Sequence, residues 1–465
     1  MSSNSSAENT SVKMNATELR ASISLASIYG LRMLGMFLIL PIFAIYAEKL
    51  PGGQSHLMIG LALGAYGLTQ ALFQLPFGMA SDRFGRKRVI YVGLLLFVIG
   101  SLVAGFATDL NTVIIGRSIQ GAGAVSAAVT ALVADLTREE HRTKAMAMIG
   151  GTIGVTFAMS LILGPVLNQW IGVSGIFLMT AVLAAAAIVV VKFVVPDPVV
   201  SSFHSDAQAK TGKLKEVLAD TQLLRLNFGI FALHAAQMAM FVVVPFAIRN
   251  TSGMNENQHW QIYLPVLVLS FVLMVPAIIY GEKRAKLKQV FVGAIAMMLA
   301  AQLAFAFSIT HFWGIVISLG AYFVAFNVLE ASLPSIITKI APADSKGTAI
   351  GVYNTTQSLG VFVGGAVGGY LSSSHGFAAV FVFCSVLMAL WLLFGLSMKA
   401  PPAVKSKMYH LNKISAAKAK TLATKLAALQ GVRETVVLAD EGLVVLKVDI
   451  QQGWDEAAVV RLIGE

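Results

Sequence analysis

Charge is scarce in this sequence. Only 12% of its 465 residues are Asp, Glu, Lys or Arg, while 57% are hydrophobic. A soluble chain of this length cannot hide so much apolar surface, which excludes a free-standing globular enzyme. Cysteine is almost missing too. The single Cys384 lies in an apolar run, so neither an intrachain disulfide nor a multi-cysteine metal centre is available. The sequence has no P-loop, no Gly-x-Ser-x-Gly and no paired histidines with an acid at ligand spacing. These absences argue against ATP-driven pumping and soluble-enzyme chemistry. No cofactor or metal is expected.

What the sequence has is apolar length. Runs of about 20 residues recur, each sufficient to cross a bilayer core of roughly 30 Å. They are continuous rather than alternating, which predicts helices instead of barrel strands. Twelve spans are predicted, near 22–47, 57–80, 88–107, 111–134, 145–168, 172–195, 223–249, 260–281, 288–308, 311–338, 347–372 and 376–397. The net charge of +11 does not signal nucleic acid, because the basic residues gather in alternate short loops. Loops 81–88, 135–144, 282–288 and 339–346 carry 13 of them, whereas the opposite loops carry only Lys49 and Arg249. The positive-inside rule then puts both termini on the cytoplasmic side.

The connection 197–222 divides the spans into halves at 21–196 and 223–400, and its 214–218 part suits a short surface helix. Residues 1–20 read as a disordered cytoplasmic tail. From 401 to 465 the composition turns soluble, in the order βαββα, with Asp440-Glu441-Gly442 as a hairpin signal. This is a ferredoxin-like α+β unit without its last strand. Such a unit is small for an independent core, so it is expected to dock on the membrane part or to self-associate. It has no Cys-x-x-Cys, and His410 alone makes no metal site.

One densely charged run interrupts the apolar sequence at 78–88. It is too polar for hydrocarbon and predicts a tight loop between the second and third spans. Gly78-x-x-x-Asp82-Arg83-x-Gly85-Arg86-Lys87-Arg88 resembles motif A of the major facilitator superfamily. Arg117-x-x-Gln120-Gly121-x-Gly123 in the fourth span resembles motif B of its proton-coupled members. Gly164-Pro165 resembles motif C of its drug:proton antiporters, although Leu167-Asn168 stand where small residues are expected. The resemblance covers residues 20–400. It implies an all-α membrane fold of twelve helices in two pseudo-symmetric halves. It also implies that motif A is a latch. Gly78 would let helices approach, Asp82 would face the start of the eleventh span near 345–348, and Arg86 would pair with Asp135.

Inside the spans a few polar residues call for a reason. Arg117 is costly in hydrocarbon unless it faces a polar interior. Motif B links it to proton movement, with Gln120 one turn away, and Arg32 is similarly placed in the first span. Glu330 is the only acid well inside the second-half spans, and Asn327 shares its helix face. A carboxyl in a low-dielectric site favours its protonated form and can carry a proton. The alternative is a permanent ion pair with Arg32 or Arg117. His234, with Gln237 one turn on, is a proton candidate or a hydrogen-bonded core histidine. Asn327, Gln237, Tyr46 and Gln70 are candidates for a substrate cavity, with Gln74 a further polar possibility. The expected function is proton-driven export of small hydrophobic or amphipathic compounds across a bacterial inner membrane. Partners are lipid, a small-molecule substrate and protons, with no nucleic acid. Symport or facilitated uptake of a metabolite, and a membrane sensor with a regulatory tail, are the alternatives.

Overall fold

The computed structural model describes residues 14–198, 211–342, 345–401, 404–411, 415–439, 442–449 and 452–464. Residues 1–13 of the tail expected to be disordered over 1–20, Ser201-Ser202 of the linker and Asp440-Glu441 of the hairpin lie outside them, whereas 16–20 are already helix, capped by Asn15. The first half contains α1 (Ala16–Phe37), α2 (Leu40–Glu48), α3 (His56–Phe84), α4 (Arg86–Gly105), α5 (Leu110–Ala122), α6 (Ser126–Leu136) and α7 (Glu139–Phe193). The short α8 (Leu214–Ala219) precedes α9 (Thr221–Ser252), α10 (Trp260–Lys283), α11 (Leu287–Ser308), α12 (Phe312–Ile340), α13 (Lys346–His375) and α14 (Phe377–Ser397). The tail follows as β1 (Val404–His410), α15 (Ala416–Ala427), β2 (Val432–Leu438), β3 (Leu443–Asp449) and α16 (Glu456–Gly464).

Among the described residues, ten helical segments are long and apolar enough to cross a membrane. One of them, Lys144–Phe193, is 50 residues long, two membrane crossings at about 1.5 Å per residue. It turns at Gly172, where φ is +67°. The 30-residue α13 has the length, but its sequence, rich in glycine, serine and threonine, is not among the ten. These two segments account for the difference from the twelve spans expected. The first and fourth spans are each broken in the middle, at Leu38-Ile39 ahead of Pro41 and at Gly123 to Val125. Asp109 caps α5, and the hydrogen bonds from Thr112 hold its carboxyl below the usual range.

The halves repeat one device. Lys87, at the start of α4, donates to the Val195 carbonyl at the end of α7 (2.7 Å), beside Arg20, which donates to Val194 (2.8 Å). Lys288, at the start of α11, donates to the Leu396 carbonyl at the end of α14 (2.9 Å). The last carbonyls of a helix lack partners within it and favour a cation. One lysine therefore ties the third helix of each half to its sixth.

The halves meet along α3 and α13. Gly60 faces Gly365 and Gly369, and a Cβ on Gly67 would lie 2.6 Å from the Ser358 carbonyl oxygen. The other glycine of each pair, Gly364 and Gly368, faces Ala235 and Ala239 of α9. Side chains have no room there, so the backbones pack directly.

In the tail the strands run in the order β1–β3–β2, all antiparallel. Val444, Leu446 and Val448 face α15 and α16 through Leu426 and Val459. Alternation sends Val445, Lys447 and Asp449 to the other face, yet these are buried too.

Candidate functional site

The charged loop needs Gly85, whose φ of +96° strains any residue with a side chain. That turn starts α4 at once and brings Arg86 inward. Its guanidinium donates to Ser81 Oγ (2.9 Å), to Asp135 Oδ2 (3.2 Å) and to Asp82. The Asp135 side chain is wholly buried, and a buried carboxylate requires such a partner. Arg83 and Arg88 are exposed, and Lys87 holds the end of α7.

Two expectations about this loop need correction. Asp82 is hydrogen-bonded to Arg86 of its own half rather than to the start of α13. Gly78 does not give the close helix approach expected of it, since a Cβ there would meet Ala127 of α6 at 3.4 Å, an ordinary contact. The reason lies at the other end of the molecule, where polar contacts join the halves. Arg249 pairs with Glu48 (2.7 Å) and Lys49 with Glu256 (2.8 Å). Asn168 donates to Asn257 (2.7 Å), and His56 bonds Ser372 (2.8 Å). These contacts fasten the halves on the face opposite the basic loops, while Asp82 is paired with Arg86. Asn168, one of the two residues that depart from motif C, is one of these fasteners. Gly164 packs on the Leu38 carbonyl at the break between α1 and α2, next to Pro165.

Glu48 and Arg249 are each about a third exposed, so their pair is worth about 1 kcal/mol at most. Glu48→Arg is expected to shift the population toward opening on this face by about twofold to fivefold. Adding Arg249→Glu should restore it. Distances between labels placed across this face check the result, and failure of the double swap to restore closure would refute the assignment.

The second half has a counterpart to the Arg86–Asp135 pair that the sequence reading missed. Glu282, in the loop equivalent to 81–88, pairs with Lys339 at the end of α12 (2.8 Å) and accepts from Ser335 (3.2 Å). Its position in that loop was the available signal.

Arg32 and Arg117 are brought together at Tyr66, 5.6 and 5.1 Å from its ring centre. Arg32 donates to Ser126 Oγ (3.1 Å) and Gln70 Oε1 (3.3 Å). Arg117 donates to the carbonyls of Ala62 and Leu63 (both 3.4 Å) and to Gln120 (3.3 Å), which reaches Ser101 (2.8 Å). Ring faces and neutral oxygens thus solvate both cations. Among the described residues, neither arginine has a carboxylate within salt-bridge distance, so the alternative reading, an ion pair of Glu330 with one of them, does not hold in this structure. Gln74 is buried nearby in sequence, and its Oε1 lacks a partner.

Glu330 instead lies 3.9 Å from His234 Nε2. His234 accepts from the Gln357 amide at Nε2 (2.7 Å) and donates from Nδ1 to the Ile230 carbonyl (3.2 Å). An oxygen of Glu330 is buried without a hydrogen-bond partner. A run of rings leads away from this pair. His234 is 6.1 Å from Phe326, which is 5.5 Å from Phe157 of the first half, itself 5.1 Å from Phe37. Among the described residues the remaining candidates make no hydrogen bond to this pair. Asn327 donates to Ser270 of α10 (2.8 Å), and Tyr46 bonds Ser174 (3.2 Å). Gln237 is buried in α9.

Membrane-length helices in two halves, closed on one face and polar within, define a multi-pass membrane transporter. The family description "Major Facilitator Superfamily" matches residues 25–365 and 279–438, and the chain belongs to that family. It is 41% identical to the Inner membrane transport protein YajR of Escherichia coli (strain K12), over 94% of this chain and 96% of that protein. It is 26% identical to Multidrug resistance protein 2 of Bacillus subtilis (strain 168), over 73% and 85%. A solved structure of a bacterial homologue of the human lysosomal transporter Spinster, inward-facing and occupied, superposes with a TM-score of 0.66 at 14% identity. It covers 83% of this chain and 97% of that one.

Proposed function

We propose that this transporter exports small hydrophobic or amphipathic compounds in exchange for protons, by alternating access in a bacterial inner membrane with its basic face cytoplasmic. The observation that carries this reading is Glu330, a lone carboxylate in the middle of a span with His234 beside it and one oxygen unsatisfied. A carboxyl so placed can take up a proton on one side and release it on the other. The rings of Phe326, Phe157 and Phe37 supply an apolar neighbourhood for a loosely shaped substrate. The motif C likeness and a multidrug-named relative support export. In this reading the structure is the state closed toward the periplasm. Asp82 then changes partner, from Arg86 to the start of α13, as the cytoplasmic face closes. The strand order β1–β3–β2 supports a ferredoxin-like tail.

Proteoliposomes with an imposed pH gradient test the proposal. Substrate should leave against inward proton flow, and net flux in the same direction as protons would overturn it. Such symport is the second reading, with a small anionic metabolite as cargo. It is favoured by Arg32, whose Nε is buried without an acceptor. Saturable binding with no flux would instead mark a sensor.

A further inference from the structure

The tail's sheet has helices on one face only, and the transporter itself covers the other. Lys447 projects from that second face and is 5% exposed. Its ammonium donates to the carbonyls of Lys339 (3.2 Å) and Ala341 (2.7 Å), at the C-terminal end of α12, and pairs with Glu434 (2.7 Å). A buried lysine is costly unless each of its donors is used. Here it caps a helix terminus whose free carbonyls favour a cation. The same tail packs its β1 against α7 as well as α12, so it touches both halves on the basic face.

We propose that Lys447 is a positioning residue, and that the tail is a brace which fits α12 and α7 only in the state closed on the opposite face. α12 is the helix that carries Glu330, ten residues or about 15 Å before its capped end. Rocking of the halves moves the ends of α7 and α12 relative to each other. A rigid three-stranded unit cannot follow both, so the brace favours the state in which both contacts are made. This inference rests on the alternating access proposed above, but on neither the substrate nor the proton.

The test uses the full chain in lipid nanodiscs with spin labels on exposed positions. One pair, at Lys144→Cys and Lys283→Cys, reads the opening between the halves on the basic face. A second, at Lys425→Cys and Lys283→Cys, reads tail docking. Cys384 is buried and stays unlabelled. Lys447→Met should broaden the docking distances and raise the population closed on the basic face by about tenfold, the scale of one charged hydrogen bond. Lys447→Gln, which keeps one donor, should give a smaller shift in the same direction and decides the matter if the Met variant does not insert. Lys407→Met, which removes a pair with Glu456 on the helix-covered side of the tail, should leave both distributions unchanged. Equal basic-face populations in the wild type and both Lys447 variants would overturn the proposal, whether or not the tail is released. A failed pH-gradient assay would leave these distances as they are, so the two readings fail separately.

Discussion

Glu330→Gln is expected to stop uphill transport while downhill exchange continues. The amide keeps the shape of the side chain and its place 3.9 Å from His234, but it cannot bind and release a proton. Groups positioned for proton transfer typically contribute about a hundredfold or more, and gradient-driven accumulation in proteoliposomes should fall by that order. Counterflow without a gradient should persist, because the aromatic neighbourhood and both arginines are untouched. His234→Gln should act more weakly, since its bonds to Gln357 and Ile230 have the pattern of a packed histidine. Accumulation that survives Glu330→Gln would move the coupling to another residue and remove the main support for the proton reading.

Gly365→Leu is expected to be strongly destabilising. A Cβ at that position would press into the carbonyl of Gly60 and lie 3.1 Å from the Gly64 nitrogen. Both are backbone atoms, so neither can turn aside as a side chain would. Overpacking costs about 1–3 kcal/mol where side chains can adjust, and here the helices themselves must part. The variant should lose most of its folded yield or melt well below the wild type in detergent. Gly293→Leu, at a helical glycine with nothing within 4 Å of a Cβ, should be tolerated. Equal melting temperatures for the two variants would show that the seam between α3 and α13 is looser than its contacts indicate.

Much of the fold was legible because hydrocarbon is an unforgiving solvent. Spans, loops and their charge bias are written into composition, and the charged run at 78–88 stood out since few residues nearby carry charge. The order of the tail's elements followed from alternation and a turn signal. Pairings were less legible, because they depend on how each helix is rotated. Arg86 with Asp135 came from a motif, whereas Glu330 with His234 had to be seen. Tyr66 was hidden in an apolar stretch, and Gln357 among the polar residues of α13. Lys49 and Arg249 counted as exceptions to a charge rule, although each makes an ion pair across the halves. Asp82 was misplaced for a different reason. In the transport cycle proposed above, its expected partner belongs to another arrangement of the same halves.

The ion pairs at the loops joining α3 to α4 and α10 to α11 carry opposite polarity. In the first half the loop supplies the base and the neighbouring helix end the acid, Arg86 to Asp135. In the second the loop supplies the acid and the helix end the base, Glu282 to Lys339. Halves built on one plan present similar surfaces while the chain is being assembled, and a loop can meet the wrong helix end. Arg86 brought to Lys339 places two cations together, and Glu282 brought to Asp135 places two anions together. Repulsion between like charges discriminates against such contacts. The reversed polarity thus sets each loop against the other half's helix end, so that charge favours the pairing within its own half.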